Sequence, residues 1–302
     1  MPTISVQRLQ TSGVASFLGT TFVGEDRDVV RPCTLKNPFD GGLAFAKNAE
    51  SLTALPKGFI GSLTILVPRE MAIENRSNIS LINVDTPRFA FAQVMAVLMV
   101  ERPAPVIAPT ARVSADCVLG ERVRIGEYSV IGRNCRIGDD TVIGNHVVIA
   151  DNVSIGRRCV VKSSSILGEQ GFGIVKDESG NNYRIPHVGG VLIGDDVEIG
   201  ALNTVCAGTL DPTIIADFVK TDDHVHIAHN CVIERNVIVT SCSSIAGSTT
   251  ISENAWLGPN CSVMNGVVVG RGTFVGLGAV VMTSCPADST LSGYPARPLP
   301  RK

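Results

Sequence analysis

Residues 123–156 read VRIGEYSVIGRNCRIGDDTVIGNHVVIADNVSIG, with an aliphatic side chain at every sixth place: Ile125, Ile131, Ile137, Ile143, Ile149 and Ile155. A period of six matches neither the 3.6-residue turn of an amphipathic helix nor the two-residue alternation of a half-buried strand. Outward from this stretch, the series starts at Ile107, Val113 and Leu119 and continues through Val161 to Leu167 without a failure. It resumes in a shifted frame at Ile193, Ile199 and Val205, then runs from Ile215 to Val281 with a break only at Thr221. Such a period belongs to a parallel β-helix, in which each hexad supplies a short strand and a corner. Glycine follows the aliphatic residue at 120, 126, 132, 138, 144 and 156, which suits a backbone that must turn tightly.

Two segments interrupt the coil. Residues 168–190, GEQGFGIVKDESGNNYRIPHVGG, carry no hexad and are rich in glycine and polar residues, so they read as a loop projecting from the prism. A shorter slip separates Val205 from Ile215. Before residue 101 the hexads are absent: SLTILVP and ISLINVD read as strands, and TPRFAFAQVMAVLMV reads as a helix opened by Thr86 and Pro87. The sequence therefore divides into an α/β domain at 1–103, a β-helix at 104–285 and a short tail at 286–302.

Composition narrows the function. A net charge of −2, with no Lys/Arg-rich run, offers no footprint for nucleic acid. The N-terminus lacks a basic start followed by a long apolar run, and no stretch has the length of apolar residues that a spanning helix needs, so a cytoplasmic protein is expected. Nine cysteines include no C-x-x-C pair. Cys117, Cys135, Cys159, Cys231, Cys261 and Cys285 all stand two residues before the aliphatic position, where a compact apolar side chain is wanted, so they read as structural.

Three of the five histidines fall in HVHIAHNC, residues 224–231. If Ile227 points inward, His226 beside it points outward, and His229 lies two residues past Ile227, at a corner. Spacing alone leaves three readings open for His229: metal ligand, surface residue, or a base able to exchange a proton near neutral pH. His146, His187, His224 and His226 read as solvated surface histidines, and no metal is expected.

The segments GEQGFGIV, GVLIGDDVEIGALNT, TLDPT, DDHVHIAHNCVI and SIAGSTTI, in that order, resemble the signatures of the UDP-3-O-acylglucosamine N-acyltransferase family. That family lies within the hexapeptide-repeat acyltransferases, whose left-handed β-helix places three hexads in each triangular coil. The resemblance covers nearly the whole chain and implies the left hand. It further implies that His229 is the general base, that the backbone N–H of Gly247 is the oxyanion donor, and that Asp222 orients the imidazole. His229 and Gly247 are 18 residues apart, one full coil, so they are expected to stack about 4.8 Å apart along the prism. In the N-terminal domain LAFAKN resembles the family's uracil-binding segment, which implies Phe45 under the base and Asn48 on its edge.

The chain also departs from the family. Ser51 stands where the family carries an aromatic residue, and Asn265 stands where it carries a second, substrate-holding histidine. The tail after SGYPARPLPRK begins is shorter than the family's helical extension and looks more like that of coenzyme A-dependent acetyltransferases. The resemblance implies a homotrimer with no tightly bound cofactor. The enzyme would take an acyl group from acyl carrier protein or coenzyme A and pass it to the amine of a nucleotide-linked amino sugar, as in lipid A synthesis. Two alternatives are a short-chain acyl-CoA transferase acting on a UDP- or dTDP-linked deoxyamino sugar for surface polysaccharide, and a non-catalytic β-helix that binds through its flat faces.

Overall fold

The computed structural model describes residues 9–71, 77–96 and 106–293. The chain forms two compact units, Met1–Pro103 and Ala104–Lys302.

In the second unit most hexads end in a two-residue strand such as Arg124–Ile125, Val130–Ile131 and Arg136–Ile137. Three hexads return the chain above its start, so Val130 pairs in parallel with Val148 and Ile131 with Ile149. The outcome is a parallel β-solenoid with sheets of nine, nine and eight strands. The aliphatic residue of each strand points inward and joins one continuous core from Val123 to Val281. Full burial of each such side chain contributes about 1.5–3 kcal/mol, which is why a hexad with so little regular backbone still holds its place.

The residue two before the aliphatic one also faces inward, and where it is polar its group is satisfied one coil on. Ser129 Oγ donates to Gly144 O at 2.8 Å, and Thr141 Oγ1 donates to Gly156 O at 2.8 Å. Cysteine fills the same role: Cys135 Sγ donates to Ala150 O at 3.1 Å and Cys231 Sγ to Ala246 O at 3.2 Å. Burial raises these thiols, and that of Cys231 is pushed up to about 11, so they remain protonated donors at neutral pH. All nine cysteines are free. Thr221, the break in the aliphatic series, is buried and accepts a hydrogen bond from Asn203 Nδ2 at 2.7 Å, so two polar residues pair inside the prism.

The glycines act differently from the expectation of a tight turn. The left-handed residue of each corner lies three places after the aliphatic one, at Tyr128 (φ 58°), Asn134 (φ 53°), Asp140 (φ 58°) and their successors, and is seldom glycine. Glycine directly after the aliphatic residue answers to close packing instead: a Cβ on Gly126 would lie 2.6 Å from the carbonyl carbon of Gly144 in the next coil.

Both interruptions leave the core ladder intact. Val153–Ile155 pairs with Val191–Ile193 across the projecting segment. That segment is more ordered than a plain loop, because Ile174–Lys176 and Asn182–Arg184 form an antiparallel hairpin. Its turn is held by Asp177 Oδ1, which accepts from the amides of Ser179 and Asn181, and by Gly180 at φ 83°. In the shorter slip Ile193 pairs with Ile215, four residues more than a regular coil.

The first unit is a five-stranded sheet ordered Phe22–Val23, Ile79–Val84, Leu63–Pro68, Gly42–Phe45 and Arg31–Pro32. The last four run parallel and the first antiparallel. Leu63–Pro68 sits between apolar clusters on both faces, as parallel strands do. Helices Thr11–Phe17 and Pro87–Val94 add Val14, Ala90 and Val94 to one of those clusters. The second helix starts at Pro87 as read from sequence, although Thr86 makes no side-chain capping bond. The part of the expected helix beyond residue 96 lies outside the described residues. Among the described residues no helix is long and apolar enough to cross a membrane.

Candidate active site

His229 occupies the corner after strand His226–Ile227, and the next coil brings Gly247 against it: Ser248 N donates to His229 O at 2.8 Å. The imidazole lies directly on the glycine. A Cβ at residue 247 would stand 2.7 Å from both Nε2 and Cε1 of His229, so only glycine leaves room for the ring.

The other ring nitrogen sets the tautomer. His229 Nδ1 lies 3.1 Å from Asn230 Oδ1. The Asn230 amide has a fixed sense, since its Nδ2 donates to Asp211 O at 2.9 Å while its Oδ1 accepts from Thr209 N at 3.0 Å and Thr209 Oγ1 at 2.9 Å. Nδ1 must therefore carry the proton, and Nε2, over Gly247, presents its lone pair. Thr209 and Asp211 belong to the four-residue slip, so the irregularity in the coil supplies the clamp.

Gly247 also differs in its amide. At several corners the equivalent N–H donates to a carboxylate one coil on, as Glu121 N to Asp139 Oδ1, Arg133 N to Asp151 Oδ1 (both 2.7 Å) and Arg157 N to Asp195 Oδ1 (2.8 Å). One coil beyond Gly247 the chain carries Asn265, and the Gly247 N–H has no acceptor among the described residues. A free, fixed N–H beside an unprotonated imidazole nitrogen is the pair that acyl transfer requires.

His229, Gly247 and Asn265 line one cleft of about 620 Å³. Two further lining residues, His226 and Arg184, and one residue packed against the His229 ring, His187, are not read from sequence as part of the site. His187, expected on the surface, is only 5% exposed, with its ring centroid 4.9 Å from that of His229. Its Nδ1 lies 2.8 Å from Ile185 O and its buried Nε2 has no partner. His226, also expected to be solvated, is half-buried, with Nδ1 2.7 Å from Thr204 Oγ1, and desolvation lowers its pKa. Arg184, from the projecting hairpin, donates from Nη1 to Gly171 O at 2.8 Å. Gly171 itself has no space for a Cβ, which would meet His229 Cβ at 2.9 Å and His187 Nε2 at 3.1 Å. Period-six reasoning cannot find Arg184 and His187, because the projecting segment lies outside the repeat; for His226, which lies within it, the period gives the direction but not the burial. The signal available was HVGG at residues 187–190, a histidine beside two glycines where the chain re-enters the coil.

Asp222 does not orient His229 within the chain. It follows strand Lys220–Thr221 on a different sheet, is exposed, and acts electrostatically on Lys162. Seven residues, one more than a hexad, carry the chain from one corner to the next. Asn230 takes the orienting place instead. His146 and His224 are exposed at left-handed corner positions, with φ 56° and 60°, as surface residues. Among the described residues no group of three or more His, Cys, Asp or Glu could hold a metal ion.

In the first unit Phe45 ends its strand half-buried, with its ring 5.1 Å from that of Phe91. Asn48 is exposed, and its Oδ1 accepts from Ser51 N at 3.0 Å and Ser51 Oγ at 2.7 Å. The serine that stands where an aromatic was looked for thus ties down the asparagine.

The family model for the bacterial transferase hexapeptide (six repeats) matches residues 134–169 and 248–282. A UDP-3-O-acylglucosamine N-acyltransferase of Coxiella burnetii (strain RSA 493 / Nine Mile phase I) is 49% identical over 87 residues, covering 29% of this chain and 25% of that protein. The protein of the same name from Caulobacter sp. (strain K31) is 35% identical over 139 residues, covering 46% of this chain and 41% of its own. The matched region thus spans between a quarter and two fifths of these relatives' length. Among solved structures, the Francisella novicida UDP-N-acetylglucosamine acyltransferase is similar with TM-score 0.57 at 25% identity, over 62% of this chain and 66% of that one. The UDP-N-acetylglucosamine acyltransferase from Campylobacter jejuni gives TM-score 0.54 at 26% identity, over 61% and 72%.

Proposed function

We infer that this chain, a member of the hexapeptide-repeat transferases, is an N-acyltransferase that moves an acyl group from a thioester to the amine of a nucleotide-linked amino sugar. The acceptor class follows the relatives named UDP-3-O-acylglucosamine N-acyltransferase. The observation that carries the reaction type is the His229 Nε2 lone pair lying on Gly247, whose N–H has no acceptor among the described residues.

The amine attacks the thioester carbonyl while Nε2 of His229 takes a proton from nitrogen. The carbonyl oxygen becomes an oxyanion beside the Gly247 N–H. Collapse of the tetrahedral species breaks the C–S bond, and the departing thiolate takes the proton back from the imidazolium. A positioned base contributes about 10²–10⁴-fold and an oxyanion donor about 10²–10³-fold. Transfer is direct. Cys206, the thiol in the cleft, is raised by burial and so is a poor nucleophile.

Phe45 and Asn48 are assigned to the base of the nucleotide. Support comes from the Asn48 amide N–H₂, which has no acceptor among the described residues while its oxygen is held by Ser51. The working assembly is a cytoplasmic homotrimer, the donor is acyl carrier protein or coenzyme A, and Asn265 contacts the acceptor from the coil above Gly247. One observation favours a second reading, in which a short-chain acyl-CoA transferase modifies a deoxyamino sugar: Asn265, an amide, lines the cleft at the place where the lipid A family carries a histidine. The test is incubation with a panel of nucleotide-linked amino sugars and both donor types, with products identified by mass spectrometry. No N-acylated product from any pair sinks the reaction; product only from short-chain acyl-CoA selects the second reading.

A further inference from the structure

Among the described residues no carboxylate lines the cleft around His229; the acid whose charge reaches it is Glu169, beside Cys206 in the strand register. The ionisable lining is Arg184, His226, His229 and the buried-side thiol of Cys206. Elsewhere on the prism several coil arginines are matched to aspartates: Arg122 to Asp140, Arg133 to Asp151, Arg157 to Asp195 and Arg158 to Asp196. Arg184 is the arginine that lines the His229 cleft. It has no ion pair among the described residues, and its one protein acceptor is Gly171 O, so four of the five N–H donors of the guanidinium stay unused.

The guanidinium is nevertheless held in place. Arg184 pairs with Ile174 in the hairpin register, the next residue, Ile185, donates from its N–H to Gly173 O at 2.9 Å, and the charge lies 5.7 Å from the centre of the exposed Phe172 ring. A planar fork of donors, anchored at one end and without an ion pair among the described residues, in a cleft that no described carboxylate lines, is suited to a tetrahedral oxyanion. We propose that Arg184 binds a phosphate group of a substrate at the His229 cleft, with the half-buried His226 and the exposed Ser244 beside it on the sheet face.

This inference deepens the proposed function, in which both co-substrates carry phosphate: the diphosphate of the sugar nucleotide and the phosphodiester of the pantetheine arm. The test reads binding and so does not depend on turnover. Full-length wild type, Arg184→Gln and Arg184→Lys are titrated calorimetrically with UDP and with 4′-phosphopantetheine, and with uridine and pantetheine as phosphate-free counterparts. Arg184→Gln is expected to weaken one phosphorylated probe by about ten-fold, the order of a lost charge-assisted hydrogen bond, with Lys restoring part of it. The phosphate-free probes should be unaffected. Loss for UDP assigns the site to the acceptor, and loss for 4′-phosphopantetheine assigns it to the donor. Unchanged affinity for both, equal loss for the phosphate-free probes, or failure of the wild type to bind either phosphorylated probe overturns the proposal. Absence of N-acylation in the substrate panel would remove the reaction while leaving these affinities as they are.

Discussion

Gly247→Ala separates the two catalytic roles assigned to this corner. The backbone at 247 is not left-handed, so alanine meets no torsional penalty, and the amide N–H is retained. The only change is a methyl carbon 2.7 Å from Nε2 and Cε1 of His229 and 3.2 Å from Cδ2. Non-bonded heavy atoms settle at about 3.5–4.0 Å, so the ring must retreat by roughly 1 Å. It has little room to do so. Nδ1 is held by Asn230, Gly171 lies against Cβ and Cδ2, and the His187 ring centroid is 4.9 Å away. A displacement of about 1 Å costs on the order of 10²-fold in rate. The expected outcome, followed by thiol release from the acyl thioester, is therefore a kcat about 10²-fold lower, with KM within a few-fold and the melting temperature preserved. Because the damage acts through the imidazole, Gly247→Ala combined with His229→Ala should be no slower than His229→Ala alone. Near-wild-type kcat in the folded single variant, or full additivity in the double, would refute the geometry.

Three other outcomes follow from the same site. Asn230→Ala, which frees the imidazole tautomer, should lower kcat by about ten-fold, whereas Asp222→Asn should change it less; the reverse order in steady-state kinetics would return the orienting role to the acid. Cys231→Ala removes a buried Sγ–H donor and should cost about 1 kcal/mol in chemical denaturation while leaving activity within a few-fold, and an acyl group trapped on this cysteine during turnover would overturn direct transfer. Desolvation holds His226 below its ordinary value of 6.5, so its contribution to stability is complete above that pH and is lost as pH falls through the lower folded-state value. His226→Gln should flatten the decline in melting temperature below pH 6.5, and an unaltered decline would show that the group does not titrate in the fold as described.

The fold was legible because the solenoid repeats one physical requirement. Each hexad must bury one large aliphatic side chain, and the aliphatic series from Ile125 to Val281 shows it directly. Glycine was legible as a residue but not as a cause. A one-dimensional reading sees a small residue after the aliphatic one and infers a turn, whereas the constraint comes from residue 144 pressing on residue 126, an 18-residue separation that only the coil makes local. The hairpin within 168–190 was hidden for a related reason. Its two three-residue strands are exposed throughout and carry no apolar alternation to announce them.

The site divides along the same line. His229, Gly247 and Asn265 are spaced by 18, so the repeat that builds the prism also stacks them, and their meeting in one cleft is computable from sequence. The groups that give the imidazole a direction are absent from that arithmetic, because both segments that supply them leave the repeat. The four-residue slip brings Thr209 and Asp211 onto Asn230, and the projecting segment brings Gly171 and His187 onto the ring. Asp222 was expected from the family resemblance alone, and its strand, Lys220–Thr221, lies on a different sheet from His226–Ile227. A uniform solenoid presents every corner alike. A single base of defined tautomer therefore requires breaks in the repeat, and here the two breaks converge on the coil that carries His229.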